Sequence, residues 1–182
     1  ESDLFATLSR SAVAATRRRA ARADLVDLSV GVGDHRRFPV EEFRKTVASV
    51  IRRDGRSCLQ YGEVQGYAPL RSAIARILAS QGLPVDPESV LVTSGSQQAI
   101  ALAVRLLVRP GDAVVVERPT YSNALDLFCS HGLKIVGVET DGEGMKVQSL
   151  EGVLQQHHPR LIYTIANFQN PTGACLSGPR RR

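Results

Sequence analysis

The sequence predicts an α/β protein built on a largely parallel sheet with helices packed against it. Four short runs, 89–93 (SVLVT), 113–117 (AVVVE), 134–138 (KIVGV) and 160–164 (RLIYT), are β-branched and apolar at nearly every position, as in strands covered on both faces. Segments with helical periodicity separate them, at 97–108, 121–130 and 149–156. Turn chemistry marks the boundaries: Gly82 with Pro84 and Pro87, then Arg109-Pro110-Gly111-Asp112, then Gly132.

Ahead of this alternation the elements are helical. Residues 3–22 carry Leu4, Leu8 and Val13 among good helix formers, and Arg17-Arg18-Arg19 with Arg22 give that helix a solvated end. Residues 26–33 read as a short extended piece ending in Gly31-Val32-Gly33. Pro39 is suited to the first turn of a helix over VEEFRKTVASVIRR. A loop around Tyr61-Gly62 follows Asp54-Gly55. A further helix spans 68–80, with Leu70, Ile74, Ile77 and Leu78 on one face.

Composition narrows the function classes. With 43% apolar residues in 182, the chain can bury a sizeable core and is not disordered. The net charge of +5 comes mostly from arginine, since Lys45, Lys134 and Lys146 are the only lysines. No aromatic residues interleave the first arginine run, so it reads as solvated surface rather than a nucleic-acid contact. Cys58, Cys129 and Cys175 are odd in number and far apart, which suggests neither a disulfide framework nor a zinc site and fits a cytoplasmic protein. No apolar stretch approaches the roughly 20 residues that span a bilayer.

The most informative segment is Leu91-Val92-Thr93-Ser94-Gly95-Ser96-Gln97-Gln98-Ala99, a strand turning through glycine into a helix. Free N–H groups at the helix start, with the Ser96 hydroxyl and the Gln97 amide, form a cradle for a phosphate. The same residues also suit an ordinary helix capped by Ser94 or Ser96. Two more loops follow strands: Glu117-Arg118-Pro119-Thr120-Tyr121 and Asn167-Phe168-Gln169-Asn170-Pro171-Thr172-Gly173. In a parallel sheet all three loops leave the carboxyl ends of strands, where ligands of open α/β folds gather. Tyr121 could stack on a flat ring and Asn170 could donate to a phenolate oxygen. Taken singly, Tyr121 is equally a loop aromatic and Asn-Pro-Thr-Gly a turn.

Together these pieces closely resemble the fold-type-I pyridoxal 5'-phosphate (PLP) aminotransferases of class I/II, from about Asp27 to Gly173. Also matching are Phe38-Pro39, Tyr61-Gly62 with Gly66, Leu70-Arg71 and Pro110-Gly111-Asp112. The resemblance implies an incomplete large domain of the aspartate aminotransferase type. Residues 1–60 would be an N-terminal arm with helices, and 61–182 part of the PLP-binding domain. It implies that Ser96 and Gln97 hold the cofactor phosphate, that Tyr121 stacks on its ring and that Asn170 bonds its 3-oxygen. Tyr61 would reach the phosphate of a neighbouring subunit in a homodimer, and Gly31 would lie beside the substrate carboxylate. The reaction implied is amino transfer between an amino acid and a 2-oxo acid. The family's Schiff-base lysine lies beyond the Asn-Pro-Thr-Gly segment, so no catalytic residue is assigned and this chain alone is expected to lack activity.

Two other readings stand beside it. One is the PLP-sensing domain of a MocR-type transcription regulator, in which a winged helix upstream would bind DNA. The other is a generic nucleotide-binding α/β domain, weakened by the lack of a G-x-G-x-x-G or a Walker lysine. No metal is expected. His157 and His158 are adjacent near a helix end, and Asp141-Gly142-Glu143-Gly144 reads as a turn.

Overall fold

A computed structural model describes residues 33–182, which divide between Thr93 and Ser94 into two compact units. The helix expected over 3–22, most of the extended piece over 26–33 and the candidate Gly31 lie outside the described residues.

In the unit ending at Thr93, helix α1 spans Val40–Asp54 with Pro39 at its N-cap. Glu41 and Glu42 in the first turn and Arg52 and Arg53 in the last complement the helix dipole. Its apolar stripe, Phe43, Val47 and Ile51, is exposed. Helix α2 spans Ala68–Ser80, the bounds that the periodicity predicts. Its Arg71 is 3% exposed and organises the preceding loop. The guanidinium donates to the Gly66 and Pro87 carbonyls at 3.2 and 3.1 Å, and to Glu88 and Glu63 at 3.0 and 2.9 Å.

The strand expected over 89–93 does not form. A short 3-10 turn, Pro87–Ser89, runs into extended backbone at Val90 that joins no ladder; Val92 makes a single backbone bond, N to Gln65 O at 2.9 Å. β-branched residues favour the extended conformation, but a strand also needs a neighbour, and none of the described residues pairs with this run.

The unit from Ser94 onward holds the sheet. Helix α3 (Ser96–Leu107) leads into strand β1 (Ala113–Arg118), helix α4 (Ser122–Ser130), strand β2 (Lys134–Asp141), strand β3 (Gly144–Met145), helix α5 (Leu150–His157) and strand β4 (Leu161–Tyr163). The sheet order is β3-β2-β1-β4, with β1 parallel to both β2 and β4 and β3 antiparallel to β2. The turn read at Asp141-Gly142-Glu143-Gly144 joins β2 to β3, and the Asp141 carboxylate accepts the Glu143 N–H at 2.8 Å.

The side-chain alternation of β1 divides the core in two. Val114 and Val116 pack on one face with Val104, Ala124, Phe128 and Leu133, which α3, α4 and the α4–β2 turn supply. Val115 packs on the other face with Val138 and Met145, and Leu150 and Val153 of α5 lie against them. The expected coverage of both faces therefore holds for β1, whereas β2 and β4 leave Ile135 and Ile162 partly open. Because β1, β2 and β4 run the same way, the 119–121 and 164–173 loops leave one rim of the sheet.

Candidate cofactor site

Two loops at this rim are held together by one buried carboxylate. Glu117, 1% exposed near the end of β1, accepts the Thr164 hydroxyl at 2.9 Å on Oε1, and the Ile165 N–H at 3.0 Å and the Gln169 amide at 3.2 Å on Oε2. Gln169 is 2% exposed, and its Nε2 also donates to the Pro119 carbonyl at 2.8 Å. Its Oε1 accepts from both Thr172 N and Thr172 Oγ1, at 2.9 and 2.7 Å. The loop bearing Tyr121 and the loop bearing Asn170 are thus stitched together from below. The Arg118–Pro119 and Asn170–Pro171 peptide bonds are both cis.

The start of α3 meets the same region. Its N-cap is Gly95 at φ +129°, where a side chain is disfavoured, and no side chain caps the helix. Neither Ser94 nor Ser96 caps the helix through its side chain. Gln98 reaches back to accept the Ser94 N–H at 2.6 Å, and the Ser96 hydroxyl has no hydrogen bond among the described residues. The first-turn N–H groups precede any intrahelical acceptor and carry the positive end of the helix dipole. An uncapped first turn beside a free hydroxyl fits a phosphate.

The sequence-predicted residues are only partly brought together. The Gln97 side chain donates to the Asn123 carbonyl at 2.9 Å, and the Asn123 amide donates to the Tyr121 hydroxyl at 2.8 Å, so Gln97 is linked to Tyr121 through Asn123. This engages the Gln97 amide expected in the cradle and leaves its backbone N–H. The Tyr121 ring is half-buried against the α3–α4 side of the core. Asn170 is exposed and makes no hydrogen bond among the described residues, and its neighbour Gln169 carries the bonds that join the two loops. Tyr61 is fully exposed in the other compact unit. A hollow of about 680 Å³ beside α4, lined by Glu117, Thr120, Leu125, Cys129 and Ile135 among others, includes none of the predicted residues.

Sequence reasoning assigned no role to Glu117, Gln169 or Asn123. A carboxylate directly after three buried valines was the available signal for Glu117, because an acid at the end of such a run needs several donors. Among the described residues no group of three or more His, Cys, Asp or Glu could hold a metal ion, the three cysteines are free, and no helix is long and apolar enough to cross a membrane.

Comparison with known proteins decides the family. The family Aminotransferase class I and II matches residues 23–179. The chain belongs to the class I and II aminotransferases. Within the family, it is 36% identical over 166 residues to aromatic-amino-acid aminotransferase 1 of Thermococcus litoralis, covering 88% of this chain and 40% of that protein. The crystal structure of LysN, an α-aminoadipate aminotransferase from Thermus thermophilus complexed with N-(5'-phosphopyridoxyl)-L-leucine, superposes with a TM-score of 0.80 at 36% identity, covering 91% of this chain and 41% of that one. A third relative is an uncharacterized HTH-type transcriptional regulator of Escherichia coli, YdcR, 33% identical over 149 residues, with 81% of this chain and 32% of the regulator covered. The chain spans about two fifths of the length of the aminotransferases it matches.

Proposed function

We propose that this chain carries the phosphate- and ring-facing part of a PLP-dependent aminotransferase that moves an amino group between an amino acid and a 2-oxo acid. The observation that carries the reading is the uncapped start of α3, linked through Gln97 and Asn123 to Tyr121.

In this reading the N–H groups of the first turn of α3 and the Ser96 hydroxyl hold the phosphate, with Gln97 contributing through its backbone. Tyr121 lies on the ring, its hydroxyl steered by Asn123. The exposed Asn170 amide donates to the 3-oxygen. When bound, the cofactor supplies an electron sink for the charge left as an amino acid gives up its α-proton.

None of the chain's lysines suits the anchoring role. Lys134 opens β2 at the opposite end of the sheet from Tyr121, and Lys45 belongs to α1. Lys146 follows β3, outside the 119–121 and 164–173 loops. The chain alone is therefore expected to show no amino transfer. The full exposure of Tyr61 suits a side chain offered to a second subunit, which supports a homodimer with Tyr61 reaching the partner's phosphate site. Gly31 is proposed beside the substrate carboxylate, the 60/61 boundary as the domain division, and the cytoplasm as the compartment.

The test is titration with PLP followed by absorbance and fluorescence, together with amino-transfer assays on a panel of amino acids. Saturable binding lost in Ser96→Asp supports the reading; no binding, or binding indifferent to Ser96 and Tyr121, removes it.

The likeness to the E. coli regulator favours one second reading, a PLP-sensing domain joined to a DNA-binding one. It keeps the same cofactor contacts and does not require turnover. PLP-dependent DNA binding by the full-length protein, without amino transfer, would select it.

A further inference from the structure

We propose that Glu117 and Gln169 form a positioning pair that sets the Asn170 amide against the cofactor's 3-oxygen. The inference rests on the PLP reading above and adds residues that touch no ligand. Both side chains are almost completely buried, yet neither belongs to the apolar core. Burying a carboxylate and a carboxamide is unfavourable unless every polar atom is satisfied. Here each is: two Glu117 oxygens receive three donors, while Gln169 gives two bonds and accepts two.

The arrangement of those bonds suggests the role. Gln169 donates to Pro119, two residues before Tyr121, and accepts from Thr172, two residues after Asn170. It therefore spans the two loops while pinning the turn in which Asn170 sits. Asn170 itself has no side-chain partner among the described residues, so its orientation is inherited from this turn. Glu117 holds Gln169 in register and fixes Thr164 and Ile165 where the chain leaves β4. A fold needing only stability could fill this space with apolar groups at similar or lower free energy. A buried polar pair that fixes two loops supplies geometry instead.

The experiment uses the full-length protein loaded with PLP, as wild type, Gln169→Glu, Glu117→Gln, Asn170→Ala and Gln169→Glu with Asn170→Ala. One readout is the pH midpoint of the bound cofactor's visible absorption, which responds to the donor at the 3-oxygen and needs no turnover. The other is kcat separated from KM. Gln169→Glu removes both donated bonds and sets a second carboxylate against Glu117. It is expected to lower kcat about 100-fold, the scale of a reacting group displaced by an ångström. KM should stay within about threefold, because the loss falls on the chemical step. The midpoint should move in the same direction as in Asn170→Ala.

In the Asn170→Ala background the same change should add nothing, since a group acting through Asn170 has nothing left to position. Glu117→Gln keeps the shape and one acceptor, and Thr164 can turn its hydroxyl to accept from the new amide. It should give an intermediate shift, and it decides the question if Gln169→Glu fails to fold. Equal losses in both backgrounds, or midpoints that stay at the wild-type value, overturn the positioning role. Failure of the wild type to bind PLP overturns the functional reading and this inference together. A wild type that binds PLP beside variants with unchanged midpoints overturns this inference alone.

Discussion

The guanidinium of Arg180 grips the carboxylate of Asp141 with two nitrogens, Nη1 to Oδ1 at 2.6 Å and Nη2 to Oδ2 at 2.8 Å. That clasp ties the arginine-rich end of the chain to the β2–β3 hairpin, and Arg180 adds a bond to the Gly144 carbonyl at 3.0 Å. With the Glu143 N–H, it draws the Asp141 carboxyl from the ordinary 3.8 down to about 2. A depressed carboxyl stabilises the folded state at pH above its unfolded value, and that contribution disappears as pH falls through the folded one. Asp141→Asn keeps the hairpin's side-chain acceptor and removes the charge. In urea titrations the wild type should therefore exceed Asp141→Asn at pH 6, with the gap closing between about pH 4 and pH 2. The pair is partly solvent-exposed, so added salt should narrow the gap as well. A gap that widens on acidification would contradict this account.

Gly66 and Gly62 should respond oppositely to alanine. A Cβ at Gly66 would stand 2.6 Å from the Val92 Cβ, on a backbone at φ +99°. At Gly62 nothing lies within 4 Å and no left-handed φ is required. Gly66→Ala should cost about 2 kcal/mol or more, and Gly62→Ala should stay within about 0.5 kcal/mol. Chemical denaturation of both variants checks the difference, and similar values would refute the close approach of Gly66 to Val92.

Ser96→Asp separates helix stability from ligand binding. A carboxylate in the first turn of α3 interacts favourably with the helix dipole, stabilising the fold by about 0.3–1 kcal/mol. The same charge repels a phosphate, so PLP affinity should fall at least tenfold, as should the affinity for inorganic phosphate as a probe. The two quantities therefore move in opposite directions. Loss of both together would mean that the substitution acts by disrupting the helix.

Phe128 is fully buried, with its ring edge-on to Tyr163 at a centroid distance of 5.5 Å. Phe128→Ala should destabilise the unit by about 3–5 kcal/mol through lost burial and the cavity left behind. A loss below about 1 kcal/mol, read from thermal or urea unfolding, would show that α4 does not anchor this side of the sheet.

Periodicity made most of the fold legible. The stretch predicted at 68–80 coincides with α2, and those at 97–108, 121–130 and 149–156 fall within a residue of α3, α4 and α5. These helices each keep an apolar stripe, and glycine or proline lies near most of their ends. The AVVVE run became the central strand because β1 is buried on both faces, the condition its composition encodes. SVLVT is likewise rich in β-branched and apolar residues and forms no strand, because pairing depends on a distant partner that no local pattern reports. Two-residue β3 was too short to carry any alternation. At the site, the exposed residues Ser96 and Asn170 were readable as motif positions. Glu117 and Gln169 were not, since their importance lies in bonds between residues about fifty positions apart.

The one-way direction of β1, β2 and β4 puts the loops of the proposed site at one end of the sheet and a second set of turns at the other. Turns at that other end, Arg109-Pro110-Gly111-Asp112 and the one through Gly132, meet in backbone bonds such as Gly111 N to Gly132 O at 2.8 Å. Grafts or fluorescent labels aimed at solvent-facing side chains of those turns sit a strand's length from Tyr121 and Asn170. Tethers or tags placed there are expected to leave PLP binding at the proposed site unchanged.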